Sequence, residues 1–101
     1  MTQQQCQAVA AGFITAMINS PATRNAWVTV ANASDWPGLR TLIAQTLGLA
    51  STPTQSDLDV MRAYADTDPT MGFQTAELTL LDPRVAPAIL FNGLDHHSGA
   101  R

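Results

Sequence analysis

The sequence predicts an all-α fold, a small bundle of about four short helices followed by an extended C-terminal tail. Three observations carry that expectation. Apolar residues recur at helical spacing through the first two-thirds of the chain, capping residues and prolines punctuate them, and the helical period fades beyond Pro69. With 101 residues there is room for one folded unit. The chain is expected to divide into a helical domain over residues 1–66 and an extended linker and tail over residues 67–101.

The first helix is expected over about residues 3–19, where Val9, Phe13 and Met17 repeat at i, i+4 and i+8 and Ile14 and Ile18 widen the stripe. Asn19-Ser20-Pro21 ends it. A proline cannot continue a helix, yet it suits the first turn of the next, with Ser20 as N-cap. That second helix, about residues 21–30, should bury Trp27 and Val30, although its β-branched run Val28-Thr29-Val30 lowers its propensity. Asp35 and Pro37 open a third, about residues 35–47, with Leu39, Leu42, Ile43 and Leu47 on one stripe. Gly48 in the left-handed conformation should stop it, with Leu49 folding back.

Thr54 and Asp57 read as a capping box with aspartate in the glutamate place. They start a fourth helix, about residues 54–65, whose inner face is Leu58, Met61, Tyr64 and Ala65. Asp66-Thr67-Asp68-Pro69 closes it. Residues 75–81 and 85–91 then form two short apolar runs around Asp82-Pro83, which could pair as a hairpin or lie extended. Pro83 and Pro87 each remove a ladder donor, which argues against a central strand.

Charge narrows the function classes. Charged residues make up 13% of the chain, about half the usual share. Either part of the surface is covered by a partner, or the chain reflects an alanine- and threonine-rich composition from a GC-rich bacterium. There is no lysine, and Arg24, Arg40, Arg62, Arg84 and Arg101 are scattered singly, so no basic stripe exists to neutralise phosphates. A net charge of −3 argues against anionic membrane surfaces, and no apolar run approaches the roughly 20 residues that span a bilayer. Met1-Thr2-Gln3-Gln4-Gln5 lacks the basic start of a signal peptide, and the single Cys6 allows no internal disulfide. The expectation is a bacterial cytoplasmic protein with neither nucleic-acid nor membrane partners.

Residues that carry chemistry are sparse. Asp95-His96-His97 is the one cluster of metal-ligating types, but adjacent histidines diverge and a closed site wants three or four convergent ligands. A solvated tail is the favoured reading, with no metal. Cys6 has no basic neighbour in sequence to depress its pKa, so a structural thiol, solvent-facing or half-buried, is expected. Asp57 and Asp59, two apart, fall on different helix faces as a cap and a solvated charge. Glu77 is the sole glutamate, and there is neither a glycine-rich phosphate loop nor a Ser/His/Asp arrangement. The chain is therefore expected to be no enzyme and to hold no cofactor. Trp27, Trp36 and Tyr64 read as core or half-core aromatics. The C-terminal part, with Leu78, Leu80, Leu81, Val85, Ile89, Leu90 and Phe91, is apolar enough to pack on its own helices or to dock in another protein.

The order of features over residues 9–65 carries a resemblance. Phe13-Ile14-Thr15-Ala16-Met17-Ile18 is broken by Asn19-Ser20-Pro21, a short helix holds Trp27, the next ends Leu47-Gly48-Leu49, and a capped helix presents Leu58 and Met61. This resembles the helical leader domains of ribosomally made, post-translationally modified peptide precursors. Within that group it looks most like the borosin-binding domain of split borosin precursors, itself similar to the small helical subunit of protocatechuate dioxygenases. The resemblance implies partner-binding positions at Phe13, Met17, Trp27, Leu47, Leu49, Leu58 and Met61. It implies a separate modifying enzyme, an α-N-methyltransferase holding S-adenosylmethionine, that methylates backbone amides of the tail. Ala88-Ile89-Leu90-Phe91-Asn92-Gly93 has the matching aliphatic-then-small character. Ile89 and Leu90 are the first modification candidates, with Val85, Ala88 and Phe91 beside them. Two rival expectations stand next to this one: a small helical accessory subunit whose tail wraps its enzyme, and an adaptor or helical homodimer.

Overall fold

The computed structural model describes residues 1–85 together with Leu90 and Phe91. Among these residues there are five α-helices and no strand. They are α1 (Gln3–Asn19), α2 (Pro21–Asn32), α3 (Trp36–Leu47), α4 (Gln55–Thr67) and α5 (Pro69–Leu81). The all-α expectation holds, with one helix more than the sequence suggested.

The punctuation explains the boundaries. Thr2 caps α1 in a full capping box with Gln5. Ser20 accepts from the Thr23 N–H at 3.2 Å and Pro21 occupies the first turn of α2. Ser34, at φ 52°, turns the chain into α3, where Asp35 accepts from the Gly38 N–H at 2.9 Å. Gly48 ends α3 at φ 65° in the left-handed region, and the Leu49 N–H reaches back to the Ala44 carbonyl at 2.9 Å. Thr54 and Asp57 form the expected reciprocal box at the start of α4, with bonds of 3.1 and 2.9 Å.

α1 is the hub of the bundle and packs against all four other helices. Its fully enclosed stripe is Cys6, Ala10, Phe13, Ile14 and Met17, so the buried face is turned slightly from the expected one, and Val9 and Ile18 lie at its margin. Trp27, Leu39, Ile43, Leu58 and Met61 converge on it, while Trp36 and Tyr64 are half-buried. Each such side chain contributes about 1.5–3 kcal/mol by leaving water.

α5 corrects the extended linker expected from residue 67. Asp68 accepts from the Met71 N–H at 3.1 Å and Pro69 sits in the first turn. This is the same cap-then-proline grammar that starts α2. Met71, Thr75 and Leu78 face the core, while Phe73, Leu80 and Leu81 point away from it. A helix that is apolar on two opposite faces has little amphipathic period, which is why the pattern beyond Pro69 looked non-helical. Buried Thr75 satisfies its hydroxyl on the Gly72 carbonyl at 3.0 Å.

After α5 the chain turns back onto its own helices. Val85, Leu90 and Phe91 are each only 1% exposed and belong to the same core as Phe13 and Trp27. The Trp27 indole N–H donates to the Leu90 carbonyl at 2.8 Å. The rings of Phe13 and Phe91 meet at 6.1 Å between centroids, tilted by 55°, a favourable aromatic arrangement. Of the two fates open to the apolar chain end, packing on its own helices is the one found at these three residues.

Candidate functional site

Most of the expected partner-binding positions are core. Phe13, Met17, Leu58 and Met61 are 0% exposed and Trp27 is 1%, so none offers surface to another protein in this fold. The cause is ordinary: these are the inner faces of amphipathic helices, and with Ile14, Leu39 and Ile43 they fill the bundle's centre. Leu47 and Leu49 are half-buried against that core, and Leu49 lines an open cleft with Met1, Val9 and Thr54.

The modification candidates divide. Val85, Leu90 and Phe91 are enclosed, and the Leu90 carbonyl is engaged by Trp27. An enzyme needs these backbone groups free and extended, so the closed fold withholds them. Ala88 and Ile89 lie outside the described residues, as do Asp95, His96 and His97. Among the described residues no group of three or more His, Cys, Asp or Glu side chains converges.

What the bundle does present is the outer face of α5. Phe73 is 79% exposed, Leu80 85% and Leu81 53%. Seven residues are two turns, so Phe73 and Leu80 stand on one line along the helix, with Ala76 and Glu77 flanking it one turn from each. Glu77 is the sole charge of α5, and among the described residues no cation pairs with it. Gly72 borders the line, and a Cβ there would meet nothing within 4 Å. The result is an apolar ridge beside a shallow trough, opposite the core face of the same helix. Large apolar side chains grouped on one exposed face mark interaction sites more often than scattered ones do.

Two polar clusters tie the bundle together, one just past α5 and the other between the starts of α1 and α4. Asp82, just past α5, accepts from the Arg84 N–H at 3.1 Å, from Arg84 Nε at 2.9 Å and Nη2 at 2.7 Å, and from Arg24 Nε at 3.3 Å. Arg24 also donates to the Met17 and Ile18 carbonyls at the C-terminus of α1, at 2.9 and 3.1 Å, supplying the cation that this helix end lacks. Arg84 Nη2 reaches Asn25 Oδ1 at 2.6 Å. Hydrogen bonds from Arg84 hold the Asp82 carboxyl well below the usual carboxylate range.

In the second cluster Asp57 is the cap that the sequence predicts, whereas Cys6 departs from its expected exposure. Cys6 is 1% exposed rather than solvent-facing or half-buried, and its Sγ lies 3.6 Å from Asp57 Oδ1. Burial, then the Asp57 charge, push the thiol up. Burial pushes Asp57 up as well, but bonds from Thr54 and the Met1 ammonium outweigh it and the carboxyl sits below its ordinary value. A raised thiol beside a carboxylate is the reverse of a nucleophile's surroundings.

Phe73, Leu80 and Asp82 were visible in sequence only as tail residues. The signal that places them is Asp68-Pro69, which marks a helix start as Ser20-Pro21 does. No family model, curated protein or solved structure matches this chain, so its role is read from its own residues.

Proposed function

We propose that this chain is a non-catalytic docking module, held through the outer face of α5 by a separate enzyme that it serves as a small accessory subunit. The observation that carries the reading is the exposure of Phe73, Leu80 and Leu81 on a helix whose opposite face already fills the core. Leaving two large side chains such as Phe73 and Leu80 in water forgoes about 1.5–3 kcal/mol each, and a partner surface recovers it. The engagement of Val85, Leu90 and Phe91 with the chain's own core weighs against a substrate tail and equally against a tail that wraps its enzyme, which leaves α5 as the docking face of the subunit.

A second reading keeps the peptide-precursor function, in which a docked α-N-methyltransferase uses its S-adenosylmethionine to modify the C-terminal segment. The observation in its favour is adjacency: the docking face ends at Leu81, directly before that segment. An enzyme on α5 has the segment within reach, since ten residues extend to about 33–36 Å.

One experiment separates the readings. The chain is co-expressed with the proteins encoded beside it, purified, and weighed intact. An unmodified chain in a stoichiometric complex that Phe73→Ser with Leu80→Ser dissolves supports the accessory subunit. Increments of one methyl group within residues 85–92 support the precursor. An unmodified chain that binds none of these proteins defeats both.

A further inference from the structure

We infer that the outer face of α5 receives an amphipathic helix of a different protein, one that sets an arginine or lysine against Glu77. This rests on the docking reading above and adds the chemistry of the occupant.

The shape argues for a helix. Phe73 and Leu80 form a ridge two turns long, and Gly72 and Ala76 leave a trough along one side of it. Ridge beside groove is the surface that helix packing uses. Glycine inside an exposed helix costs about 1 kcal/mol relative to alanine, and nothing of this chain fills the space that a Cβ at Gly72 would occupy. A partner side chain laid in that trough gives the glycine a use.

The charge argues against a second copy. α5 carries Glu77 and no cation, so two copies pairing face to face in antiparallel fashion bring one Glu77 towards the other. The chain has no lysine, Arg24 and Arg84 are engaged by Asp82, Arg62 pairs with Asp66 at 3.7 Å, and Arg40 stands on α3 rather than on α5. A face-to-face pair of α5 helices therefore sets no cation of α5 against either Glu77, and a basic helix of another protein does. A bare lipid surface fits less well, because Glu77 stands beside the apolar line and the whole chain carries −3. The expected occupant is polar on its outer side, apolar at i, i+3 or i+4 and i+7, and basic at one position beside that stripe.

The test uses the full chain and two synthetic helical peptides with the same leucine-alanine stripe, one with arginine and one with glutamate at the position facing Glu77. Calorimetry should find the arginine peptide bound and the glutamate peptide weaker by about fivefold or more, as an ion pair at a partly covered site allows. Glu77→Lys should invert that order, and Phe73→Ser with Leu80→Ser should abolish binding of both while circular dichroism stays helical. Equal binding of the two peptides, or binding of neither, overturns the inference. So does a concentration-dependent dimer in sedimentation that the double serine variant dissolves, or adsorption to neutral phosphatidylcholine vesicles that it abolishes. A complex with a co-expressed enzyme that needs Phe73 and Leu80 but ignores Glu77→Lys leaves docking intact and removes only the basic helix.

Discussion

The Trp27 indole N–H donates to the Leu90 carbonyl at 2.8 Å, across 63 positions of sequence and inside the core. The bond ties the segment after α5 to α2. Trp27→Phe keeps most of the ring and removes the donor, leaving a buried carbonyl without its partner. The expected loss is about 1–3 kcal/mol, read as a lower midpoint in urea with little change in slope. An unchanged midpoint would mean that this bond is open in solution.

Phe91 fills space against Phe13. Phe91→Ala should destabilise the whole bundle by about 3–5 kcal/mol, the usual result of emptying a buried aromatic site. If the segment were loosely held, the variant would unfold at the same temperature as the parent, so a thermal melt decides.

Gly72→Ala is expected to act in the opposite direction. The site is helical and open, so the methyl group meets nothing, and the isolated chain should gain about 0.5–1 kcal/mol, a rise of several degrees in Tm. The same methyl group enters the trough beside Phe73, so the gain in stability should come with weaker docking. A variant that is both more stable and equally well bound would place the partner elsewhere on α5.

Asp57 and Asp82 both have carboxyl pKa values below those of the unfolded chain. A depressed folded-state value means that protons bind the unfolded chain more tightly. The stabilisation is therefore complete above the ordinary carboxylate range, near pH 4, and is lost as pH falls further, towards the folded values. Asp82→Asn should flatten stability against pH below about 4, and acid titration followed by circular dichroism reads it. A parent chain whose stability is level from neutral pH to well below 4 contradicts the assignment.

Cys6 should be inert while the bundle is folded, because it is enclosed and its thiol pKa is raised. Alkylation by iodoacetamide at neutral pH should wait for unfolding and speed up with added denaturant. Prompt alkylation of the native chain would show that the start of α1 opens locally.

How much of this was legible follows from where the signals lie. Ser20-Pro21, Asp35, Gly48 and the Thr54–Asp57 box act within four residues of themselves, so they set the first four helices in the sequence as firmly as in space. α5 carried a comparable start at Asp68-Pro69, but its two apolar faces cancelled the period that usually confirms a helix. Trp27, Leu58 and Met61 were legible as inner residues and Phe13 and Met17 as an apolar stripe, but a stripe does not say whether the chain's own helices or a partner cover it. Cys6 beside Asp57, and Arg24 beside Asp82, depend on how α1, α2, α4 and α5 pack. No local pattern encodes that.

The return of Leu90 and Phe91 to α1 and α2 also sets an order of events. Helices form from near neighbours within about a microsecond, whereas a contact spanning 63 residues must first close a long loop. The contacts of Leu90 and Phe91 with α1 and α2, like those of α5 with α1, thus form late, and exchange of the Leu90 and Phe91 amide protons reads how often they open in the native bundle. Until those contacts close, Phe13 and Trp27 lack the cover that Phe91 and Leu90 give them.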